Sequence, residues 1–165
     1  MKLTVVFSRH SNWWAIGSKF ICWAQGTPFS HVALMIDNEF GTEPIIFEAV
    51  YPRSRKIKLM DWLALGNEQV VSFELKVTDE AALRRVLYEY LDKEYSVLAL
   101  AEQGLAIIFK GLKHKFDKLS WASKNFLICT EYAQRVLSSL YGVDRPGMSL
   151  RDVYRECRRI NQSSI

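Results

Sequence analysis

The chain has few of the residues that mark special classes of protein. Among its 165 residues are three cysteines, four prolines and eight glycines. Cys22, Cys129 and Cys157 form no close pair, which excludes a disulfide framework and a zinc-ligand spacing and points to free thiols in a reducing compartment. No repeat, low-complexity tract or Pro/Ser-rich linker interrupts the chain, so one domain over residues 1–165 is expected. Charge of one sign is scarce as well. Twenty-two basic residues against 18 acidic give a formal +4, too little to announce nucleic-acid binding, and no helix-turn-helix or zinc-finger spacing accompanies it. The basic residues gather in Arg53-Ser54-Arg55-Lys56, in Lys110 to Lys118 and in Arg151 to Arg159. Each is either a solvated face or a surface for anionic polymer or lipid headgroups.

Long apolar runs are also missing. The richest, Val97 to Phe109, contains Glu102, Gln103 and Gly104. It falls short of the roughly 18–20 residues that cross a bilayer, so no transmembrane segment is expected. The start, Met1 to Arg9, lacks the apolar core of a signal peptide, and the expected location is cytoplasmic.

What the chain does have is bulk. Hydrophobic residues make up 49% and aromatics 13%, enough for a sizeable core. Leu3 to Phe7 reads as a strand. A helix capped by Ser11 or Asn12 runs to about Ala24, with Trp13, Ile16, Phe20 and Trp23 on one apolar face, and Gly26-Thr27-Pro28 stops it. Val32 to Ile36 and Ile45 to Val50 read as partner strands around a turn at Asp37-Asn38 and Gly41. Lys56 to Met60 and Val70 to Val77 alternate as strands; in the second, Val71, Phe73, Leu75 and Val77 point inward. Thr78-Asp79 caps a helix with the stripe Leu83, Val86, Leu87, Tyr90 and Leu91. Further helices are expected over Leu98 to Phe109, from Cys129 to Gly142, and from the variant capping box Ser149-Leu150-Arg151-Asp152, which brings Val153, Cys157 and Ile160 inward. The fold class is α+β: an antiparallel sheet of about five strands packed with helices.

A thiolate is the strongest nucleophile available to this chain. Cys22 and Cys157 sit on apolar helix stripes and read as core. Cys129 opens a helix after Phe126-Leu127-Ile128, where free N–H groups and the positive dipole end favour a thiolate and can cradle an oxyanion. It is either one more buried cysteine or a nucleophile.

A nucleophile needs a base, and the histidines are His10, His31 and His114. His114 lies among lysines, and His10 precedes the first helix as a cap or surface group. His31 opens an apolar strand, as a satisfied structural residue or as a base. Glu48 lies inside the apolar run Ile45 to Val50, where a carboxylate needs a partner unless the strand is an exposed edge. With the two strands paired, Glu48 reaches the His31 ring, fixes its tautomer and leaves the other nitrogen for a thiol proton.

Phe29-Ser30-His31-Val32-Ala33-Leu34, then Phe47-Glu48-Ala49-Val50, then Phe126-Leu127-Ile128-Cys129-Thr130-Glu131-Tyr132 resemble the YiiX/YebB-like cysteine peptidases, the circularly permuted, papain-fold branch of the NlpC-type cell-wall amidases. The order is that of the family: a Ser-His-Val strand, an acid-bearing strand, a Cys-Ser/Thr-Glu helix start. The resemblance runs from about residue 3 to 141. Where relatives open with a Gly-Asp-containing strand, this chain has Phe7-Ser8-Arg9-His10.

The resemblance implies a permuted papain-like fold with Cys129 as nucleophile, His31 as general base and Glu48 as its orienting acid. Tyr95, in Lys93-Glu94-Tyr95, matches a family tyrosine that lines the pocket or donates to the oxyanion; a core aromatic is the other reading. Of Trp13, Trp14 and Trp23, at least two are expected in the core. The implied activity is hydrolysis of an amide, in a peptide or cell-wall fragment, without metal or cofactor. A bacterial or phage enzyme that stays in the cytoplasm or is released by lysis reconciles that substrate with the missing signal peptide. Relatives of lecithin:retinol acyltransferase share the permuted fold, so acyl transfer or ester cleavage on a lipid-like substrate is the alternative. A catalytically silent binding module is the third.

Overall fold

In the computed structural model, residues 1–10, 16–37, 43–95, 126–145 and 147–163 are described. The expected turn at Gly41, the helix over Leu98 to Phe109, Trp13, Trp14 and His114 lie outside them.

The sheet follows from short β-branched and apolar runs. Strands β1 (Lys2–His10), β2 (His31–Ile36), β3 (Ile45–Glu48), β4 (Arg55–Lys58) and β5 (Asn67–Lys76) form one antiparallel sheet in the order β4-β3-β2-β1-β5. Register pairs Val5 with Leu34 across β1–β2, Leu34 with Phe47 across β2–β3, and Val5 with Phe73 across β1–β5. The chain is thus α+β with five antiparallel strands, and β1 and β2 at its centre carry the most apolar segments.

Alternation divides the sheet into two faces. Leu3, Val5, Phe7, Val32, Leu34 and Phe47 face the larger core. There they meet α3 (Glu80–Glu89), α4 (Cys129–Tyr141) and α5 (Leu150–Ser163) through Leu83, Leu87, Tyr132, Leu137, Val153 and Cys157. Each fully buried leucine contributes about 2 kcal/mol by leaving water. The Tyr132 hydroxyl donates to the Leu87 carbonyl at 2.6 Å and ties α4 to α3. The other face is thin. Val6, Ala33 and Ile46 are covered by Trp62, from the six-residue helix α2 (Leu59–Ala64).

The caps follow the sequence. Asp79 accepts from the Ala82 N–H at 2.8 Å. Ser149 and Asp152 form a reciprocal box: the Ser149 N–H donates to Asp152 at 3.1 Å, and the Asp152 N–H donates to the Ser149 hydroxyl at 3.2 Å. Gly142 ends α4 at φ 65°, the left-handed conformation that favours glycine.

Three expectations change. Lys56 to Met60 is not one strand, because Leu59 begins α2: the Leu59 N–H donates to the Pro44 carbonyl and the Met60 N–H to Glu43, turning the chain. Helix α1 (Ile16–Gln25) carries Trp23 outward, 73% exposed, and its Cys22 is half-buried rather than core. Val71 and Phe73 are half-buried rather than fully inward, because β5 is an edge strand covered in part by α5. A second, two-stranded parallel pairing, β6 (Glu94–Tyr95) with β7 (Phe126–Leu127), was not foreseen; it brings Tyr95 beside Leu127, two residues before Cys129.

Candidate active site

His31 is the first residue of β2 and Glu48 the last of β3. One step beyond the observed β2–β3 register, Glu48 falls opposite Ala33, two positions from His31 on the same face, within diagonal reach of a long side chain. His31 Nε2 lies 3.0 Å from Glu48 Oε2. The exposed-edge reading of Glu48 is excluded, since β4 covers β3 and Glu48 is 1% exposed.

A buried carboxylate needs all its lone pairs used. Trp62 Nε1 donates to Oε2 at 2.8 Å, and Arg55 Nε and Nη2 donate to Oε1 at 2.9 and 2.8 Å. With His31, each oxygen accepts two bonds. Arg55 is therefore not merely part of a solvated basic face. It stands directly across from Glu48 in the β3–β4 register, so its guanidinium reaches inward while its flank stays in water. Neither Arg55 nor Trp62 was singled out from the sequence. The signal available was an Arg seven residues after a carboxylate in a hairpin.

Cys129 is the first residue of α4, 5% exposed. Cys129 acts on the His31 imidazole and raises its pKa, so the sulfur stands within reach of the ring. With Nε2 committed to Glu48, Nδ1 is the ring nitrogen left for the sulfur. Alternation puts His31 and Glu48 on the α2 face, whereas Cys129 belongs to the larger core.

The electrostatics follow from this geometry. Burial pulls the His31 imidazole down, but hydrogen bonds and charge attraction from Cys129 and Glu48 outweigh it and raise its pKa to about 10. Burial pushes the Glu48 carboxyl up, and bonds from His31, Trp62 and Arg55 more than reverse that, to about 2. At neutral pH the pair is imidazolium and carboxylate.

Tyr95 is half-buried and packs against the main core. Burial, then the negative charges of Cys129 and Glu131, raise its phenol pKa, so its ring stands in the electrostatic reach of the thiol. The Tyr95 N–H donates to the Pro52 carbonyl at 2.8 Å, which fixes this segment to the chain just before β4. Glu131 accepts from the Ile128 N–H at 3.2 Å and steadies the first turn of α4. Ser8 lies directly opposite His31 in the β1–β2 register, fully buried, and its Oγ has no hydrogen-bond partner among the described residues.

The remaining expected residues are elsewhere. His10 is exposed at the end of β1. Cys157 is fully buried on α5, and burial pushes its thiol up to about 12. Among the described residues no group of three or more His, Cys, Asp or Glu could hold a metal ion, and no helix is long and apolar enough to cross a membrane.

Set against known proteins, the chain matches no protein-family model and no curated protein.

Proposed function

We propose that the chain is a thiol hydrolase that cleaves an amide bond through a Cys129–His31–Glu48 triad on a permuted papain-like scaffold. The observation that carries this reading is the His31 ring held 3.0 Å from a buried, fully hydrogen-bonded Glu48, with Cys129 acting on the same ring. A structural histidine does not need an anion held by three further donors.

In this reading the attacking state is the Cys129 thiolate beside the His31 imidazolium. The sulfur attacks the amide carbonyl, and first-turn N–H groups of α4 hold the oxyanion. Nδ1 gives its proton to the leaving amine. The neutral ring then takes a proton from water, whose oxygen attacks the thioester, releasing the acid and restoring the thiolate–imidazolium pair. Glu48 keeps the ring oriented throughout, and Tyr95 borders the reacting sulfur. Peptides and cell-wall fragments are the substrate class that the resemblance implies.

A second reading, acyl transfer or ester cleavage on a lipid-like substrate, is favoured by one observation. Met60 and Leu63 of α2, and Leu65 just after it, are exposed apolar residues on the element that carries Trp62. Product analysis with peptide amides against lipid esters separates the two.

The test of the thiol itself is iodoacetamide labelling across pH, mapped to each cysteine by mass spectrometry. Cys129 is expected to be labelled far faster than Cys157, and His31→Ala to remove that difference. A Cys129 as inert as Cys157 sinks the hydrolase reading and leaves a binding module.

A further inference from the structure

A second concave surface lies apart from the triad, between α5, the β5 edge and the turn that ends α1. It encloses about 520 Å³, within the range of small-molecule sites. Its charge is of one sign. Arg151, Arg155, Arg158 and Arg159 line it, and no acidic side chain does so among the described residues. The acidic residues of α5 are turned elsewhere: Asp152 caps the helix, and Glu156 pairs with Arg159. That leaves Arg151, Arg155 and Arg158 as a positive row with no carboxylate partner among the described residues.

Helical spacing explains the row. Positions 151, 155 and 158 follow one another at four and three residues and share a stripe, while Val153, Cys157 and Ile160 take the buried side. Three exposed guanidinium groups therefore stand along about 10 Å of helix. Arg151 is held in place, its Nη2 donating to the Gly26 carbonyl at 2.9 Å. The φ of Gly26 is +58°, the left-handed conformation that favours glycine, and a Cβ there would come within 2.8 Å of that nitrogen and make the arginine shift. The groove also has apolar lining. Tyr154, on the same helix as the row, stacks on Phe29 at 5.5 Å and lines the groove together with Val70 and Val71 of β5.

A row of like charges on one helix is unfavourable by itself, and surface solubility needs no apolar lining beside it. Guanidinium groups in series match phosphate oxygens, and a row longer than one phosphate matches more than one. We propose that this groove binds an organic di- or polyphosphate, its phosphoryl groups on Arg151, Arg155 and Arg158 and its less polar part against Tyr154, Val70 and Val71. The site is independent of the triad and stands whether or not Cys129 is reactive.

The test is calorimetric titration of the full chain with pyrophosphate and with ADP. Saturable one-to-one binding is expected with Kd below about 1 mM, ADP tighter than pyrophosphate because the apolar lining adds contact. Arg155→Gln/Arg158→Gln is expected to weaken both by about tenfold or more with an unchanged melting temperature. Val71→Trp, which fills the groove without touching its charge, is expected to weaken ADP more than pyrophosphate. Vesicles of phosphatidylcholine with phosphatidic acid identify the source of the phosphate: binding that pyrophosphate competes away, and that needs the same arginines, supports the groove with a lipid headgroup as its ligand. Absence of saturable binding to either soluble probe overturns the proposal. So does binding unchanged in both variants, or vesicle binding that pyrophosphate does not compete, which marks general attraction to a basic face.

Discussion

The two faces of the sheet solve different problems. On the face of α3, α4 and α5, apolar side chains meet apolar side chains, and stability comes from area removed from water. On the face of α2, a handful of residues cover the sheet, and the central buried group is an anion. The thick face tolerates a cysteine such as Cys157 by suppressing its ionisation. The thin face does the reverse, holding Glu48 charged and His31 protonated by giving both carboxylate oxygens of Glu48 two donors each. Trp62 shows how little material this takes, since one side chain gives both apolar cover and an indole N–H. A site that needs charge is built where few residues must be dedicated to it.

The comparison breaks most severely at Glu48. Glu48→Ala strands Arg55, the Trp62 N–H and a charged imidazole, and is expected to cost about 3–5 kcal/mol in chemical denaturation. Acid titration sharpens it. Glu48 has a depressed folded-state pKa, so its contribution is complete above about 4.5 and is lost as pH falls toward about 2. Melting temperatures measured over that window should fall by the equivalent of about 3 kcal/mol. His31 has the opposite sign: its contribution is complete below 6.5 and is lost as pH rises through about 10. Leu137→Ala, on the thick face, should lower the whole stability curve while leaving both limbs where they are.

Trp62→Phe keeps the ring and deletes one donor. An expected loss of about 1–3 kcal/mol, with the acid limb moved to higher pH, follows from leaving one Glu48 lone pair unmet. The smallest effect is at Ser8. Its buried hydroxyl has no partner among the described residues, so Ser8→Ala should raise stability by about 1 kcal/mol in the same assay. A loss of stability there would mean that the hydroxyl is hydrogen-bonded.

Period and caps made much of the architecture legible. The β2 and β3 strands, the Asp79 cap, the Ser149–Asp152 box and the Gly142 stop are local features, and each is where its residues put it. The pairing of His31 with Glu48 was readable because a carboxylate in an apolar run demands a partner and a hairpin offers one. That it would meet Cys129 was implied by the resemblance alone, since nothing local specifies which end of the sheet α4 meets. Arg55 and Trp62 were missed for a related reason. A charged residue on an alternating strand looks solvated, and a tryptophan in Leu59–Ala64 looks like plain core. Only the β3–β4 register and the unexpected turn into α2 aim both at one carboxylate.

The sequence separation within the site has a consequence for how the chain becomes competent. His31, Glu48, Arg55 and Trp62 lie within one stretch of 32 residues joined by neighbouring strands, and such local contacts close early and at low entropic cost. The sulfur arrives from 98 positions after His31 and has to wait for α4 to dock. During synthesis the His31–Glu48 pair can therefore be in place before Cys129 is made, so the proposed triad is completed only late in the chain. In the proposed triad the last contact to form is the one between ring and sulfur, so Cys129 labelling that depends on His31 would report completed docking of α4.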